Sequence, residues 1–308
     1  MHANLHINAI SRSAGKNAAA ASAYRSGSSV VACAAYRAGE KLQDAASEKT
    51  HDYTKKHNVL HAEIIAPDGA PEWMTDREKL WNGVEAAEKR KDAQLAKEVV
   101  LVLPRNLDHE QHKEVVRGWI ADNITKRGLV ADFAIHEPDA SDGGKNPHAH
   151  VMFTLRPVEG DGFGKKLTGY KDGGLDGKEV LAEMRSSYEH QLNAVSTSGE
   201  NSQTVFDLRS YKEKGIDRIP QPKVGPKVTH LEKRGYQTEW GKECRKRIHA
   251  NNNKPYQKYL GSRHLIGDGG KNSSNFLESI RADIAEKYYE VMYTEEAGVK
   301  EWEEWHRQ

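Results

Sequence analysis

The sequence predicts an α+β fold in which an antiparallel β-sheet carries flanking helices, and three observations lead to this prediction. First, short apolar runs rich in β-branched residues alternate with longer segments of helical periodicity. Second, the apolar runs 130–136 and 148–155 are joined by EPDASDGGKNP, whose turn-forming residues favour antiparallel pairing of the two runs. Third, His148 and His150 are two positions apart, which places both imidazoles on one face of a strand.

Strands are predicted where β-branched or alternating apolar residues run briefly between turn-forming residues. The run 97–103 (KEVVLVL) is typical of a central strand, and Pro104 ends it because proline has no N–H to donate within a sheet. In chain order, the predicted strands are residues 2–9, 58–67, 97–103, 130–136 and 148–155.

Helices are predicted from capping residues followed by apolar residues at helical spacing. Thr75 is the expected N-cap of one helix, with Glu78 three positions later, and Asp108 is the expected N-cap of the next. An alanine-rich run after Ser11 is the first predicted helix. In chain order, the predicted helices are the alanine-rich part of residues 11–27, which follows a turn, and then residues 75–93, 109–127, about 178–196 and 274–292.

Composition limits the class of protein. The chain has 308 residues with 37% hydrophobic and 30% charged residues, enough for one large domain or two modest ones. No stretch approaches the roughly 20 apolar residues that span a bilayer, and the N-terminus lacks the apolar core of a signal peptide, so we expect a cytoplasmic protein. The isolated residues Cys33 and Cys244 indicate neither a disulfide framework nor a thiolate zinc site.

Charge is distributed unevenly although the net charge is +1. Residues 207–271 contain 16 Lys and Arg against 7 Asp and Glu, whereas residues 275–308 contain 4 against 9. A basic stretch before an acidic end fits a nucleic-acid surface followed by a separate helix, and it equally fits solvated loops. We therefore expect a core over residues 1–200, a basic DNA-contacting extension over 201–273 and an acidic helix over 274–308.

Three histidines are expected to converge. In a strand the side chains of His148 and His150 share a face, while Ala149, Val151 and Phe153 point to the opposite, core-facing side. If this strand pairs with 130–136, His136 lies beside the two histidines, and three imidazoles can bind one ion. The alternative interpretation is a set of ordinary surface histidines on an amphipathic strand.

A short tandem repeat adds two candidate tyrosines. Shifting the sequence by twelve positions places ASAYRSG on CAAYRAG, so Tyr24 falls on Tyr36. The shared Ala-Tyr-Arg-x-Gly pattern favours a true duplication, although alanine-rich segments also match by chance. The Ser-Gly-Ser-Ser at 26–29 is expected to break any continuous helix through both copies.

These motifs together resemble one known family. The SRS-x-G loop, the Ala-Tyr-Arg helix and the IH…NPHAHVM pattern are similar to the N-terminal domain of the MobA/MobL (MobQ-type) conjugative relaxases, which belong to the HUH endonuclease superfamily. The likeness covers roughly residues 1–235. Its further segments are HDYTKK (51–56), LWNGVEAAEKRKDAQLAKEVVLVLP (80–104), GLVADFAIH (128–136), NPHAHVMFTLRP (146–157), FDLRSYKEKGIDRIP (206–220) and LEKRG (231–235).

The resemblance implies a metal-dependent nickase that acts at a plasmid transfer origin to start conjugative transfer or mobilisation. Such enzymes cut one DNA strand with a tyrosine and remain attached to the 5′ phosphate. The implied fold is an antiparallel five-stranded sheet, the HUH palm, with flanking helices and here a helical, basic C-terminal extension. The implied partners are single-stranded DNA at the transfer origin, relaxosome accessory proteins and a coupling protein, with no membrane insertion.

The resemblance also assigns roles to residues. His148 and His150 match the HUH pair, and His136 matches the third ligand of a divalent ion, for which Mn²⁺ and Mg²⁺ are the expected candidates. The nucleophile matches ambiguously: counting from the Ser-Arg loop gives Tyr24, which we favour here, and counting back from HDYTKK gives Tyr36. Leu208 departs from a family Asp-His-Arg-Ser motif, which weakens any role for residues 207–210.

Other charged residues complete the predicted site. Glu98 is expected either to fix a histidine tautomer or to accept the tyrosine proton, unless it merely pairs with a nearby Lys or Arg. The residues expected to contact DNA phosphates are Arg12, Lys16, Arg25, Arg37, Arg156 and Arg209.

Three other functions remain open from the sequence. One is a hydrolase in which the three histidines hold Zn²⁺ and activate water without a covalent intermediate. Another is a replication initiator or transposase built on the same metal-and-tyrosine palm. The last is a DNA-binding module without catalysis.

Overall fold

The computed structural model describes residues 4–12, 29–140, 143–167, 175, 177–197, 205–217 and 224–261. They fall into two compact units, with the boundary between Ser210 and Tyr211. The predicted helix over 274–292 lies outside the described residues. Within these ranges, no helix combines the length and the apolarity that crossing a bilayer requires.

A five-stranded antiparallel sheet forms the centre of the first unit. The chain order of all strands is β1 (Asn4–Ser11), β2 (Lys41–Asp44), β3 (Lys49–Asp52), β4 (Val59–Ile65), β5 (Gln94–Val102), β6 (Ala131–His136), β7 (His148–Thr154), β8 (Val158–Glu159) and β9 (Gly162–Phe163). The large sheet has the order β1-β5-β7-β6-β4, and all four of its pairings are antiparallel. These are the five strands predicted from the sequence, so the predicted sheet is confirmed.

Six α-helices are described. They are α1 (Val30–Ala38), α2 (Arg77–Ala87), α3 (His109–Asn123), α4 (Lys178–Thr197), α5 (Pro226–Lys233) and α6 (Glu239–Gly261), with 3-10 turns at Glu72–Thr75 and Thr125–Arg127. The predicted cap of α3 is confirmed, because Asp108 accepts from the backbone N–H of Gln111 and the Gln111 side chain accepts from the backbone N–H of Asp108.

The predicted N-cap of α2 was wrong by one residue. Asp76, not Thr75, is its N-cap, because the Asp76 carboxylate accepts from the backbone N–H of Lys79 at 3.0 Å. The Thr75 hydroxyl instead donates to the Glu72 carbonyl and closes the preceding 3-10 turn. The helix also ends earlier than predicted, at Ala87.

The segment before β4 also differs from the sequence prediction. Ser11 belongs to β1, and residues 13–27 of the first predicted helix lie outside the described residues. The second copy of the repeat forms α1, whose N-cap Ser29 accepts from two backbone N–H groups, so the predicted break at 26–29 coincides with a helix start. The hairpin of β2 and β3 was not predicted, because four-residue strands carry little periodicity.

Apolar side chains cover both faces of the sheet. On one face, α3 and α4 pack against residues that include Val151 and Phe153, both fully buried. On the other face, α1 and α2 pack over Met152 and part of β5. Because side chains alternate along β7, the second face is also the one that carries His148 and His150.

Candidate active site

The pairing of β6 with β7 brings the three predicted histidines together. His136 is directly opposite His148 in the register, and His150 lies on the same face two positions further along β7. The ring centroids are 4.9 Å apart for His136 and His150, 5.0 Å for His148 and His150, and 5.5 Å for His136 and His148. One nitrogen from each ring lies within 4.8 Å of the other two, so the group can hold a metal ion.

Glu98 on β5 orients His150. Its Oε1 atom lies 2.6 Å from His150 Nδ1 and 2.5 Å from Arg37 Nε, and its side chain is 1% exposed. Burial opposes ionisation of Glu98, but the His150 hydrogen bond and the Arg37 charge outweigh it and lower its pKa to about 2. Such a carboxylate is a poor proton acceptor at neutral pH. The contacts therefore favour the tautomer-fixing role, and the expected pairing with an arginine is present as well.

The other two histidines also place one ring nitrogen on an oxygen acceptor. His148 Nδ1 lies 2.8 Å from the Asn146 carbonyl, and His136 Nε2 lies 2.7 Å from the Arg37 carbonyl. A proton on each of these nitrogens leaves the lone pair on the opposite nitrogen for an ion. Burial lowers the pKa of His148 and lowers that of His136 to about 3, so both imidazoles are neutral, as metal ligands must be.

The C-terminus of α1 is tied to this histidine group. The last carbonyls of a helix have no partner within it. Here the Tyr36 carbonyl accepts from Lys56 Nζ at 2.8 Å, while the next carbonyl, that of Arg37, is the acceptor for His136. Gly39 ends the helix with φ of 68°, a left-handed conformation that glycine adopts without strain. The end of α1 thereby connects the backbone at Tyr36 and Arg37 to His136, directly and through Lys56.

The Tyr36 side chain is held but accessible. Its ring packs edge-on against Tyr53, with centroids 5.3 Å apart, and the Lys56 ammonium lies 3.9 Å from its centroid. The residue is 37% exposed. Tyr24, Lys16 and Arg25 lie outside the described residues.

Lys56 was not identified as a site residue from the sequence. Its nitrogen lies 3.4 Å from His136 Nε2, in addition to its contacts with Tyr36. Burial and the nearby charge of Arg37 lower the pKa of Lys56 to about 8. Its sequence signal was its place in HDYTKK, a segment that resembles the relaxases but has no motif pointing to this lysine.

The described arginines predicted to contact DNA all have protein partners. Arg37 is 3% exposed and also donates to the Cys33 carbonyl, a placement that favours a structural role. The other pairs are Arg12 with Glu85 at 2.7 Å, Arg156 with Glu88 at 3.0 Å and Arg209 with Asp207 at 2.8 Å. Their contacts with DNA stay a prediction.

Comparison with known proteins identifies the family. The model of the MobA/MobL family matches residues 28–234. The TraA conjugal transfer protein of Agrobacterium fabrum is 36% identical over 212 residues, which are 60% of this chain and 19% of TraA. The mobilization protein MobL of Acidithiobacillus ferridurans is 31% identical over 268 residues, covering 79% of this chain and 66% of MobL. The chain thus spans about a fifth of the length of TraA.

One solved structure shares the fold. It is described as "Molecular Basis of Vancomycin Resistance Transfer in Staphylococcus aureus" and aligns with a TM-score of 0.57 at 25% identity. The alignment covers 68% of this chain and 100% of that chain. Since the family model spans residues 28–234, including α1 and the strands with all three histidines, the chain belongs to the MobA/MobL family.

Proposed function

We propose that this chain is a relaxase, a metal-dependent transesterase that nicks one DNA strand at a plasmid transfer origin and starts conjugative transfer or mobilisation. The observation that carries the proposal is the connection of Tyr36 to the histidine group through the end of α1, where the Tyr36 carbonyl binds Lys56 and the next carbonyl binds His136. The names of the relatives, which refer to conjugal transfer and mobilization, support it.

We propose Tyr36 as the nucleophile, although counting from the Ser-Arg loop favoured Tyr24. The Tyr36 carbonyl and the adjacent Arg37 carbonyl bind Lys56 and His136, so the position of this tyrosine is coupled to the histidine group. The family match begins at residue 28 and therefore includes Tyr36 but not Tyr24.

The proposed reaction exchanges one phosphate ester for another. The Tyr36 oxygen forms a bond to the phosphorus, the bond from phosphorus to the 3′ oxygen breaks, and the phenol proton ends on the 3′ hydroxyl. The products are a 5′-phosphotyrosyl adduct and a free 3′ end. Because an ester bond is retained, the reverse reaction can rejoin the strand.

The chemistry also explains the need for the histidines. A tyrosine hydroxyl with an ordinary pKa near 10 is ionised in about one molecule in a thousand at pH 7, a cost of roughly 4 kcal/mol. His136, His148 and His150 would hold a divalent ion, which would supply Lewis-acid polarisation of the phosphate and neutralisation of its charge. Imidazole ligands favour Mn²⁺ over Mg²⁺, although Mg²⁺ binds phosphate oxygens well.

The partners follow from the proposed reaction. The substrate is single-stranded DNA at the transfer origin, in the bacterial cytoplasm, with accessory proteins and a coupling protein in the same assembly. In this proposal, residues 1–200 form the nicking core. The basic residues of 201–273 would contact the flanking DNA, and residues 274–308 would form a separate helix.

A covalent-adduct assay tests the proposal. Labelled single-stranded DNA containing the transfer origin is incubated with Mn²⁺ or Mg²⁺ and then separated by denaturing electrophoresis. We expect an adduct with wild type and with Tyr24→Phe, and none with Tyr36→Phe. If only Tyr24→Phe fails to form the adduct, the nucleophile is Tyr24, in the first copy of the repeat.

The same assay distinguishes the alternative functions. Cleavage without an adduct in both tyrosine variants would indicate the three-histidine hydrolase. Preference for a replication origin over a transfer origin would indicate an initiator. Binding without cleavage, unaffected by His148→Ala, would indicate a DNA-binding module.

A further inference from the structure

Lys56 stands between the proposed nucleophile and the histidine group. Its Nζ atom lies 3.9 Å from the Tyr36 ring centroid and 3.4 Å from His136 Nε2. It donates to the Tyr36 carbonyl at 2.8 Å, which uses one of the three N–H donors of the ammonium. His136 Nε2 already forms a hydrogen bond with the Arg37 carbonyl at 2.7 Å. The longer contact with Lys56 is therefore a close approach and not a good hydrogen bond.

The charge of Lys56 has no protein counter-ion among the described residues. Arg37, the other cation of the site, is paired with Glu98, whereas no described carboxylate lies within salt-bridge distance of Lys56. A half-buried cation without a counter-ion is costly, because burial removes part of its hydration. An anion arriving at this place would therefore be stabilised by the lysine and would relieve that cost.

We infer that Lys56 binds the phosphate that Tyr36 attacks, through a non-bridging oxygen. The inference rests on the proposed function and adds to it a protein side chain that binds the reacting phosphate. Lysine suits this role because its compact charge and rotatable donors follow a phosphate through changes of geometry. The carbonyl contact with Tyr36 keeps the ammonium beside the nucleophile, so one side chain holds both reactants.

The first test measures DNA binding in EDTA, without metal and without cleavage. The probe is a fluorescein-labelled single-stranded oligonucleotide from the transfer origin, and anisotropy gives the affinity at several salt concentrations. Each phosphate contact contributes about 0.7 to the slope of log affinity against log salt for single strands. We expect Lys56→Met to lower the slope by about that amount and Lys56→Arg to retain it. An unchanged slope in a folded Lys56→Met protein would overturn the inference and leave the lysine as a clamp on α1.

The second test locates the contact. A methylphosphonate, which removes the phosphate charge, is placed at the cleaved position mapped by the adduct assay. Lys55, an exposed neighbour with the same charge, provides the control variant Lys55→Met. We expect the methylphosphonate to weaken DNA binding about tenfold in wild type and in Lys55→Met, and hardly at all in Lys56→Met. Equal losses in Lys55→Met and Lys56→Met would contradict the inference.

Cleavage rate supplies a third readout and separates the two proposals. With metal present, Lys56→Met should form the adduct roughly 100-fold more slowly than wild type, the scale seen when one donor to a developing oxyanion is removed. If wild type forms no adduct at all, the proposed function fails, whereas the salt slope still decides whether Lys56 binds phosphate. If Lys56→Met forms the adduct at the wild-type rate, the inference fails and the proposed function stands.

Discussion

Glu98 Oε1 lies 2.6 Å from Nδ1 of His150, on the buried side of the histidine group. The same oxygen accepts from the Arg37 guanidinium at 2.5 Å. One carboxylate thus joins a candidate metal ligand on β7 to the helix that carries Tyr36. The orientation of the candidate ion site and the position of the candidate nucleophile therefore depend on a shared contact.

Glu98→Gln should weaken metal binding. The amide keeps the shape of the side chain, but it lacks the charge that fixes the His150 tautomer, and loss of such a partner typically costs 10–100-fold in affinity. Calorimetric titration with Mn²⁺ measures this directly. Glu63→Gln is the matched control. Glu63 lies 2.8 Å from His61, a histidine that does not belong to the group of three. Equal affinity in the two variants would contradict the assigned role.

Arg37→Met should destabilise the fold more than it affects DNA binding. It leaves the Glu98 carboxylate, 1% exposed, without its buried cation, and breaking such a pair costs about 3–5 kcal/mol. Urea unfolding followed by circular dichroism gives the change in the free energy of unfolding. Arg90→Met, which removes an exposed pair with Asp92, is expected to leave this free energy unchanged. A stable Arg37→Met protein with weakened DNA binding would instead restore the phosphate contact predicted from the sequence.

His148→Ala should abolish stabilisation by divalent metal. An ion that binds the folded protein alone adds about 2.7 kcal/mol when its free concentration is 100 times the Kd, and therefore raises Tm. We expect this rise with Mn²⁺ in wild type and in His61→Ala, and none in His148→Ala, because two histidines hold an ion far less well. Thermal melts with and without EDTA measure it. Identical rises in all three proteins would show that the ion binds elsewhere.

Gly39→Ala should cost more stability than Gly69→Ala. Both glycines have positive φ, 68° and 77°, so alanine is strained by about 1–2 kcal/mol at either position. A Cβ on Gly39 would also lie 3.2 Å from Val59 Cγ2, whereas one on Gly69 meets nothing within 4 Å. Val59 pairs with His136, so a displacement of Val59 would also shift the histidine group. Equal losses of Tm in the two variants would mean that the end of α1 yields without affecting β4.

The sequence by itself determined the five-stranded sheet and the convergence of the three histidines. Strand positions follow from β-branched runs and alternation, and the joining segment between 136 and 148 favours antiparallel pairing, which places His136 opposite His148. These are properties of one strand or of one pair of strands close in the chain. Boundaries were less predictable, as the shift of the α2 cap from Thr75 to Asp76 illustrates, because neighbouring polar residues compete for the same backbone N–H groups.

Only the tertiary structure decided how the rest of the candidate site is assembled. Arg37 meets Glu98 across 61 positions of sequence, and His136 meets the Arg37 carbonyl across 99. Such contacts arise from how α1 packs on the sheet, which no local pattern encodes. The same packing places Lys56 against Tyr36. No sequence motif indicates that this lysine is the cation beside the proposed nucleophile. Local periodicity specifies elements, whereas chemistry between distant segments depends on the packing that brings their side chains together.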